Sequence, residues 1–176
     1  MARNVEIKAR VEDAARTQRL VAETADRGPE TLFQTDTFFQ VDAGRLKLRE
    51  FSDSEAELIY YRRPDSPGPT ESQYERSPVS DARALRELLS KTLGIRGCIR
   101  KRRQVFWVGR TRIHLDEVQD LGNFLELEVV LREQEPFEAG VREAEELMEL
   151  LEINGGSLVS DAYIDLLHRN GQSTLT

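Results

Sequence analysis

The sequence predicts an α+β fold in which about eight antiparallel strands close into a barrel or a strongly curved sheet, with helices outside it or at its ends. Three observations carry this expectation. Period-two alternation runs through many segments of the 176-residue chain, and two is the repeat of a strand. The alternating segments are joined by short turn sequences, which pair neighbouring strands as hairpins. Helical patterns occur only at the start, the middle and the end.

Residues 1 to 11 alternate strictly: Val5, Ile7, Ala9 and Val11 share one face, and Asn4, Glu6, Lys8 and Arg10 share the other. Residues 13 to 27 read as a helix that Asp13 begins and Gly28-Pro29 stops. Strands follow at 32 to 41 and 45 to 51, around the Asp42-Ala43-Gly44 turn, and at 55 to 63. Residues 64 to 70 hold three prolines and a glycine and read as a loop; a short strand covers 72 to 77. Ser80, with Asp81 beside it, reads as the N-cap of a helix over 81 to 93 that Gly94 ends. Strands over 97 to 108, 111 to 118 and 123 to 132 precede an acidic amphipathic helix over 138 to 152 and a last helix over 159 to 169. The reading is of one domain, residues 1–176, without repeats.

Composition narrows the function. Thirty-two acidic against 25 basic residues give a net charge of −7, which argues against a nucleic-acid polymer or an anionic membrane as partner. One cysteine, Cys98, excludes an internal disulfide framework and fits a reducing compartment. No apolar run approaches the ~20 residues of a membrane span, and the first strand leaves no room for a signal peptide. The expected location is therefore the cytoplasm. The charge is unevenly spread. Residues 96 to 112 hold seven bases and no acid, whereas residues 133 to 152 hold eight acids and one base.

The polar strand faces are unusually charged. Glu6, Lys8 and Arg10 share one; so do Arg45, Lys47 and Arg49; Lys101 and Arg103; Arg112, His114 and Asp116; and Glu126 and Glu128. Carboxylates are hard-oxygen ligands for Mg²⁺ or Mn²⁺, while Arg and Lys clamp phosphate oxygens. Faces of this kind, if convergent, suit a polyphosphate held with a divalent metal. The plain alternative is a set of solvated faces with cross-strand ion pairs.

The order of these pieces resembles the CYTH superfamily, which includes class IV adenylate cyclases, thiamine triphosphatases and inorganic triphosphatases. Asn4-Val5-Glu6-Ile7-Lys8-Ala9-Arg10 is similar to its Glu-x-Glu-x-Lys signature, and Gln34-x-Asp36-Thr37-Phe38-Phe39 to its second strand. Leu46-Lys47-Leu48-Arg49 resembles its basic hairpin and Lys101-Arg102-Arg103 its Lys-x-Arg strand. Arg112-x-His114-x-Asp116 and Glu126-Leu127-Glu128 complete the set. The resemblance implies a triphosphate tunnel, a closed eight-stranded antiparallel barrel around a charged lumen. It implies Glu6, Asp116, Glu126 and Glu128 at a site for Mg²⁺ or Mn²⁺, with Glu6, Lys8 and Asp116 as catalytic residues. Lys8, Arg10, Lys47, Arg49, Arg63, Lys101, Arg103 and Arg112 would bind phosphates. The substrate would be a triphosphate-bearing small molecule such as ATP, thiamine triphosphate or inorganic polyphosphate, and barrels of this kind often pair as homodimers. Asn4 departs from the signature: an amide keeps a neutral carbonyl ligand but loses a charge, which bears on a second metal.

The leading expectation is a metal-dependent triphosphatase. A class IV adenylate cyclase is the alternative, and a non-catalytic organophosphate-binding module, which Asn4 would favour, is the third. Of the remaining residues, His114 reads as positioning or structural, His168 as surface and Cys98 as buried. Phe38, Phe39, Phe106 and Trp107 read as barrel-wall packing, and one of Tyr60, Tyr61 or Tyr74 as a candidate to face a ring.

Overall fold

The computed structural model describes residues 1–171. Eight strands, β1 (Ala2–Val11), β2 (Arg27–Phe39), β3 (Arg45–Ser52), β4 (Glu55–Arg62), β5 (Thr70–Val79), β6 (Ile95–Val108), β7 (Thr111–Val118) and β8 (Gly122–Val130), form a closed barrel in the order β1-β5-β4-β3-β2-β6-β7-β8. Every neighbouring pair is antiparallel, and β8 returns to β1 with Glu6 opposite Glu128 and Lys8 opposite Glu126. Closure leaves no unpaired strand edge.

The barrel is polar inside and apolar outside, and the helices account for that inversion. Along β1, Val5 and Ile7 point outward into apolar clusters, while Asn4, Glu6 and Lys8 line the lumen. The outward residues are covered by α1 (Ala14–Thr24) and α3 (Phe137–Leu150): Ile7, Phe106 and Leu127 pack with Val21 and Leu147, and Val5 and Val129 pack with Ala144. The acids of α3 stay on its outer side, except that Glu143 accepts from Arg110 and Thr111. Gly140 lets α3 sit directly on β1, since a Cβ there would lie 2.5 Å from Val5 and 2.7 Å from Leu131. α2 (Ala82–Leu93) covers Phe39, Leu48 and Ala56 on the opposite flank. No described helix is long and apolar enough to cross a membrane.

One end of the barrel is closed by the segment leading into α4 (Tyr163–Arg169). The Val159 N–H donates to the Lys8 carbonyl at 2.8 Å, and Phe38, Ile99, Phe124, Ala162, Tyr163 and Ile164 form one buried cluster. Gly97 admits Ile164, whose Cδ1 would stand 2.5 Å from a Cβ at that position.

Several boundaries differ from expectation. The first helix ends at Thr24, and Gly28-Pro29 lies within β2, where a register shift between Arg27 and Glu30 absorbs it. That dipeptide is a strand irregularity, and β2 starts five residues earlier than its turn chemistry suggests. Asp81 rather than Ser80 caps α2, accepting from the Ala84 N–H at 2.9 Å. β5 runs to Val79 despite Pro78. After α3, Asn154 caps a short 3₁₀ turn, Gly155–Ser157, and the last helix begins only at Tyr163.

Candidate active site in the barrel lumen

The lumen is a cavity of about 290 Å³ lined from all eight strands and from Ala162 and Tyr163. Eight of its lining side chains are Lys or Arg and six are Asp or Glu. The interior is therefore mixed in charge, with cations in slight excess, and each cation is matched to a carboxylate or a carbonyl.

On the β2-β3-β6 side, one carboxylate gathers three cations. Asp36 is 1% exposed. It accepts from Lys47 Nζ at 2.9 Å and from Arg49 Nε and Nη2 at 2.7 Å each, while Lys101 Nζ stands 3.5 Å away. The register explains the convergence, because Asp36 pairs with Arg49 on β3 and with Ile99 on β6, one lumen step from Lys101. Burial alone would raise the Asp36 carboxyl; Arg49, Lys47 and Lys101 together hold it well below the usual range. Burial, followed by the nearby Arg103, pulls Lys101 down to about 7.

On the β1-β7-β8 side the carboxylates dominate. Arg103 donates to both oxygens of Asp116, at 2.7 and 2.5 Å, and to Glu126 at 2.6 Å. Lys8 Nζ donates to the Asp161 carbonyl at 3.0 Å and stands 3.4 Å from Glu126. Arg112 holds Glu128 at 2.8 Å. Arg63 reaches Glu6 at 3.4 Å and the Ser160 carbonyl at 2.9 Å. Burial and the facing Glu128 push the Glu6 carboxyl upward. Glu126 is held well below its usual range, since Lys8 and Arg103 outweigh its burial. Glu128 is likewise held at about 2, as His114, Arg112 and Arg103 together outweigh its burial.

His114, Glu126 and Glu128 offer ligand atoms within 4.8 Å of one another. The His114 Nδ1 is buried and has no hydrogen-bond partner; Glu126 lies 3.6 Å and Glu128 3.8 Å from it. Burial, then Arg103, lowers the His114 pKa, so at neutral pH the ring is an uncharged imidazole with a lone pair to give. An orphaned buried nitrogen beside two ionised carboxylates is a donor set that a divalent cation satisfies.

The structure brings Glu6, Lys8, Lys47, Arg49, Arg63, Lys101, Arg103, Arg112, Glu126 and Glu128 to one cavity. Two expected site residues are elsewhere. Arg10 lies beyond the closed end, with its guanidinium 4.8 Å over the Phe124 ring and donating to the Leu121 carbonyl at 3.1 Å. Asp116 is buried behind the lining, where it accepts from Arg103 and from the Tyr163 hydroxyl at 2.8 Å; its place is to orient those two groups. His114 belongs to the acidic cluster. Trp107 is not wall packing: it lines the lumen, as do Tyr61 and Tyr74. Cys98 is only partly buried, and His168 is exposed, with Nε2 at 2.9 Å from the Arg96 carbonyl. Asp36 and Tyr163 are the site residues that sequence reasoning passed over. Tyr163 places its ring under Lys8, 4.0 Å from Nζ to the centroid, and 5.2 Å from Lys101 Nζ.

A family model described as the CYTH domain matches residues 2–163. The chain belongs to the CYTH domain family. Solved structures agree in fold. The PH1012 protein of Pyrococcus horikoshii superposes with a TM-score of 0.83 at 20% identity, over 93% of this chain and 98% of that one. A proposed adenylate cyclase of Vibrio parahaemolyticus gives 0.76 at 17% identity, over 94% and 97% of the two chains. HpAC1 of Hippeastrum, a proposed adenylyl cyclase whose structure is described as revealing a dominant triphosphatase activity, gives 0.65 at 16% identity, over 98% and 97%. No curated protein matches the chain. At these identities the likeness is one of fold, and the CYTH barrel of this chain has to be read from its own lumen.

Proposed function

We propose that this CYTH protein is a divalent-metal-dependent triphosphatase that binds a triphosphate-bearing substrate in the barrel lumen and cleaves a phosphoanhydride bond. The observation that carries the reading is the convergence of Lys47, Arg49 and Lys101 on buried Asp36, across one cavity from the His114-Glu126-Glu128 cluster. A linear chain of phosphates needs cations along its length and a second charge set at one end. Lys8, Lys47, Arg49, Arg63, Lys101, Arg103 and Arg112 supply the first, and the acidic cluster fits the second.

His114, Glu126 and Glu128 would hold Mg²⁺ or Mn²⁺, the two carboxylates supplying the hard oxygen ligands. Bound there, the ion would neutralise phosphate charge and orient its oxygens. The chain's own groups do the rest. Asp36 keeps Lys47 and Arg49 pre-aimed and would exchange part of that pairing for phosphate oxygens. Glu6, whose carboxyl is pushed upward by burial and Glu128, would accept the proton of an attacking water. Asp116 fixes Arg103. Asn4, 1% exposed with an unpartnered Oδ1, lines the cavity beside them as a neutral acceptor.

The cyclase reading uses the same cage with the substrate's own ribose hydroxyl as nucleophile. Trp107, a ring-sized surface lining the lumen, is what favours it. A panel of ATP, GTP, thiamine triphosphate and tripolyphosphate with Mg²⁺ or Mn²⁺, read by phosphate release and by mass, separates the readings. Orthophosphate supports hydrolysis. Cyclic AMP with pyrophosphate would replace it by cyclisation, and ligand binding without metal-dependent turnover would leave a binding module.

A further inference from the structure

The acidic cluster has cations on most of its flanks. Lys8 stands opposite Glu126 on β1, Arg112 stands opposite Glu128 on β7, and Arg103 donates to Glu126 at 2.6 Å. Asp116 is committed to Arg103 and Tyr163 behind the lining. The neighbour left with a carboxylate is Glu6, opposite Glu128 on β1, and the next lumen position along β1 is the amide Asn4. Two-ion sites hold their ions about 3.5–4 Å apart. A second divalent cation beside the first would therefore need its seat at Glu6 and Asn4.

Neither residue is free to provide it. Asn4 is buried, and its unpartnered Oδ1 has no charge to set against a dication. Ser72, its cross-strand neighbour on β5, is equally buried and neutral. Glu6 already faces a cation: Arg63 Nη1 donates to its Oε2 at 3.4 Å. Arg63 Nη2 donates to the Ser160 carbonyl at 2.9 Å, which ties the guanidinium to the segment closing the barrel. The Arg63 side chain is 7% exposed, so little water screens its charge. A guanidinium and a dication sharing one carboxylate in such a place repel each other. His114, Glu126 and Glu128 differ in kind, because their orphaned Nδ1 lies between two carboxylates.

We infer that the lumen takes a single divalent cation, at His114-Glu126-Glu128, and that Arg63 is a built-in positive charge in place of a second, while Asn4 withholds the carboxylate a second ion would need. The inference rests on the proposed metal-dependent site and states its occupancy. Arg63 then sets positive charge against the phosphates without any ion being recruited from solution. Its buried Nε, which has no partner, is the donor left for a phosphate oxygen. Asn4 Oδ1 accepts from a neutral donor such as water.

Mn²⁺ is the probe, because its paramagnetic resonance tells one ion from two: neighbouring Mn²⁺ ions couple and broaden the single-ion sextet. Titrating the full chain with Mn²⁺, without and with tripolyphosphate, should saturate at one protein-bound equivalent that gives an uncoupled sextet. Glu128→Gln should weaken that equivalent at least about tenfold. Two equivalents in the parent, or a coupled signal, would overturn the inference and leave the metal site standing. If Mn²⁺ does not bind the parent under either condition, the proposed metal site itself falls and takes the inference with it. Asn4→Asp combined with Arg63→Met adds a carboxylate and removes the guanidinium, so a second equivalent and a coupled signal should appear. Asn4→Asp combined with Arg63→Lys keeps the positive charge and should stay at one. A purely structural Arg63 would give the same count in both double variants, and that result would overturn its role. The parent titration needs no variant to fold and decides the single-ion count by itself.

Discussion

Asp36 Oδ2 and Lys101 Nζ lie 3.5 Å apart in the middle of the barrel, each under a tenth exposed. The pair joins β2 to β6, and Lys47 and Arg49 join it from β3. A single carboxylate thus stands where three cations meet, in the position a substrate's phosphates would contest. Asp36 is a structural counter-ion, and under the proposed function it would also hold the place of the ligand.

Asp36→Asn should therefore destabilise the free protein by about 3 kcal/mol, the usual cost of breaking a buried ion pair. Tripolyphosphate should raise the melting temperature of the variant by more than that of the parent, because it replaces the lost charge. The sign with pH follows from the depressed carboxyl. Its stabilisation is present above the unfolded pKa of about 4 and is lost as pH falls through the lower folded value. Parent and variant should converge in stability only in strong acid. Equal melting temperatures at pH 7 would remove Asp36 from this role.

Lys101 makes the lumen sensitive to pH near neutrality. Its folded value of about 7 lies below its ordinary one, so the unfolded chain binds more protons between about 7 and 10 and stability rises across that window. Phosphate has the opposite effect on affinity, because an anion at Nζ favours the ammonium. At pH 8, binding tripolyphosphate without metal should take up close to one proton more in the parent than in Lys101→Met. Calorimetry in two buffers of different ionisation enthalpy measures that difference, and identical uptake would refute it.

The legible part of the site followed from strand geometry. A period of two places residues i and i+2 on one face, so Glu6 with Lys8, Lys47 with Arg49, and Glu126 with Glu128 were recognisable as shared faces before any pairing was known. What that period does not give is depth. Arg10 and Asp116 lie on lumen-facing positions of β1 and β7, opposite Phe124 in the register, but at the end that Tyr163 and Phe124 fill. The short last helix decides this, and nothing in the spacing of Tyr163 marks it as more than one apolar residue in a helix. Asp36 was hidden for a related reason: a lone acid between two threonines gains meaning only from cations on two other strands. Trp107 read as packing because composition cannot tell an indole that fills a wall from one that faces a cavity.

Glu128→Gln tests the acidic cluster. The amide preserves shape and leaves Arg112 an acceptor, so the fold should persist with a melting shift of a few degrees. Metal-dependent turnover should fall by at least about 100-fold, since losing a supporting residue around a metal already costs 10–100-fold. Retained turnover would show that the metal is held elsewhere in the lumen.

Tyr163 separates ring from hydroxyl. Its phenol donates to Asp116 at 2.8 Å, and burial, reinforced by Asp116, pushes its pKa well above the usual value, so the donor proton stays in place across the working range. The ring beneath Lys8 and Lys101 is a separate contribution, an attraction of about 0.5–2 kcal/mol for each desolvated cation. Tyr163→Phe should lose the hydrogen bond to a charged acceptor, about 1.5–3 kcal/mol of stability, and keep the tripolyphosphate affinity close to that of the parent. Tyr163→Leu should lose a similar amount of stability and weaken tripolyphosphate about fivefold or more, because both lysines lose the surface that aims them. Chemical denaturation gives the first quantity and calorimetry the second. If Phe weakened phosphate binding as much as Leu, the hydroxyl acting through Asp116 and Arg103 would be the positioning element, and the ring would serve only to close the barrel end.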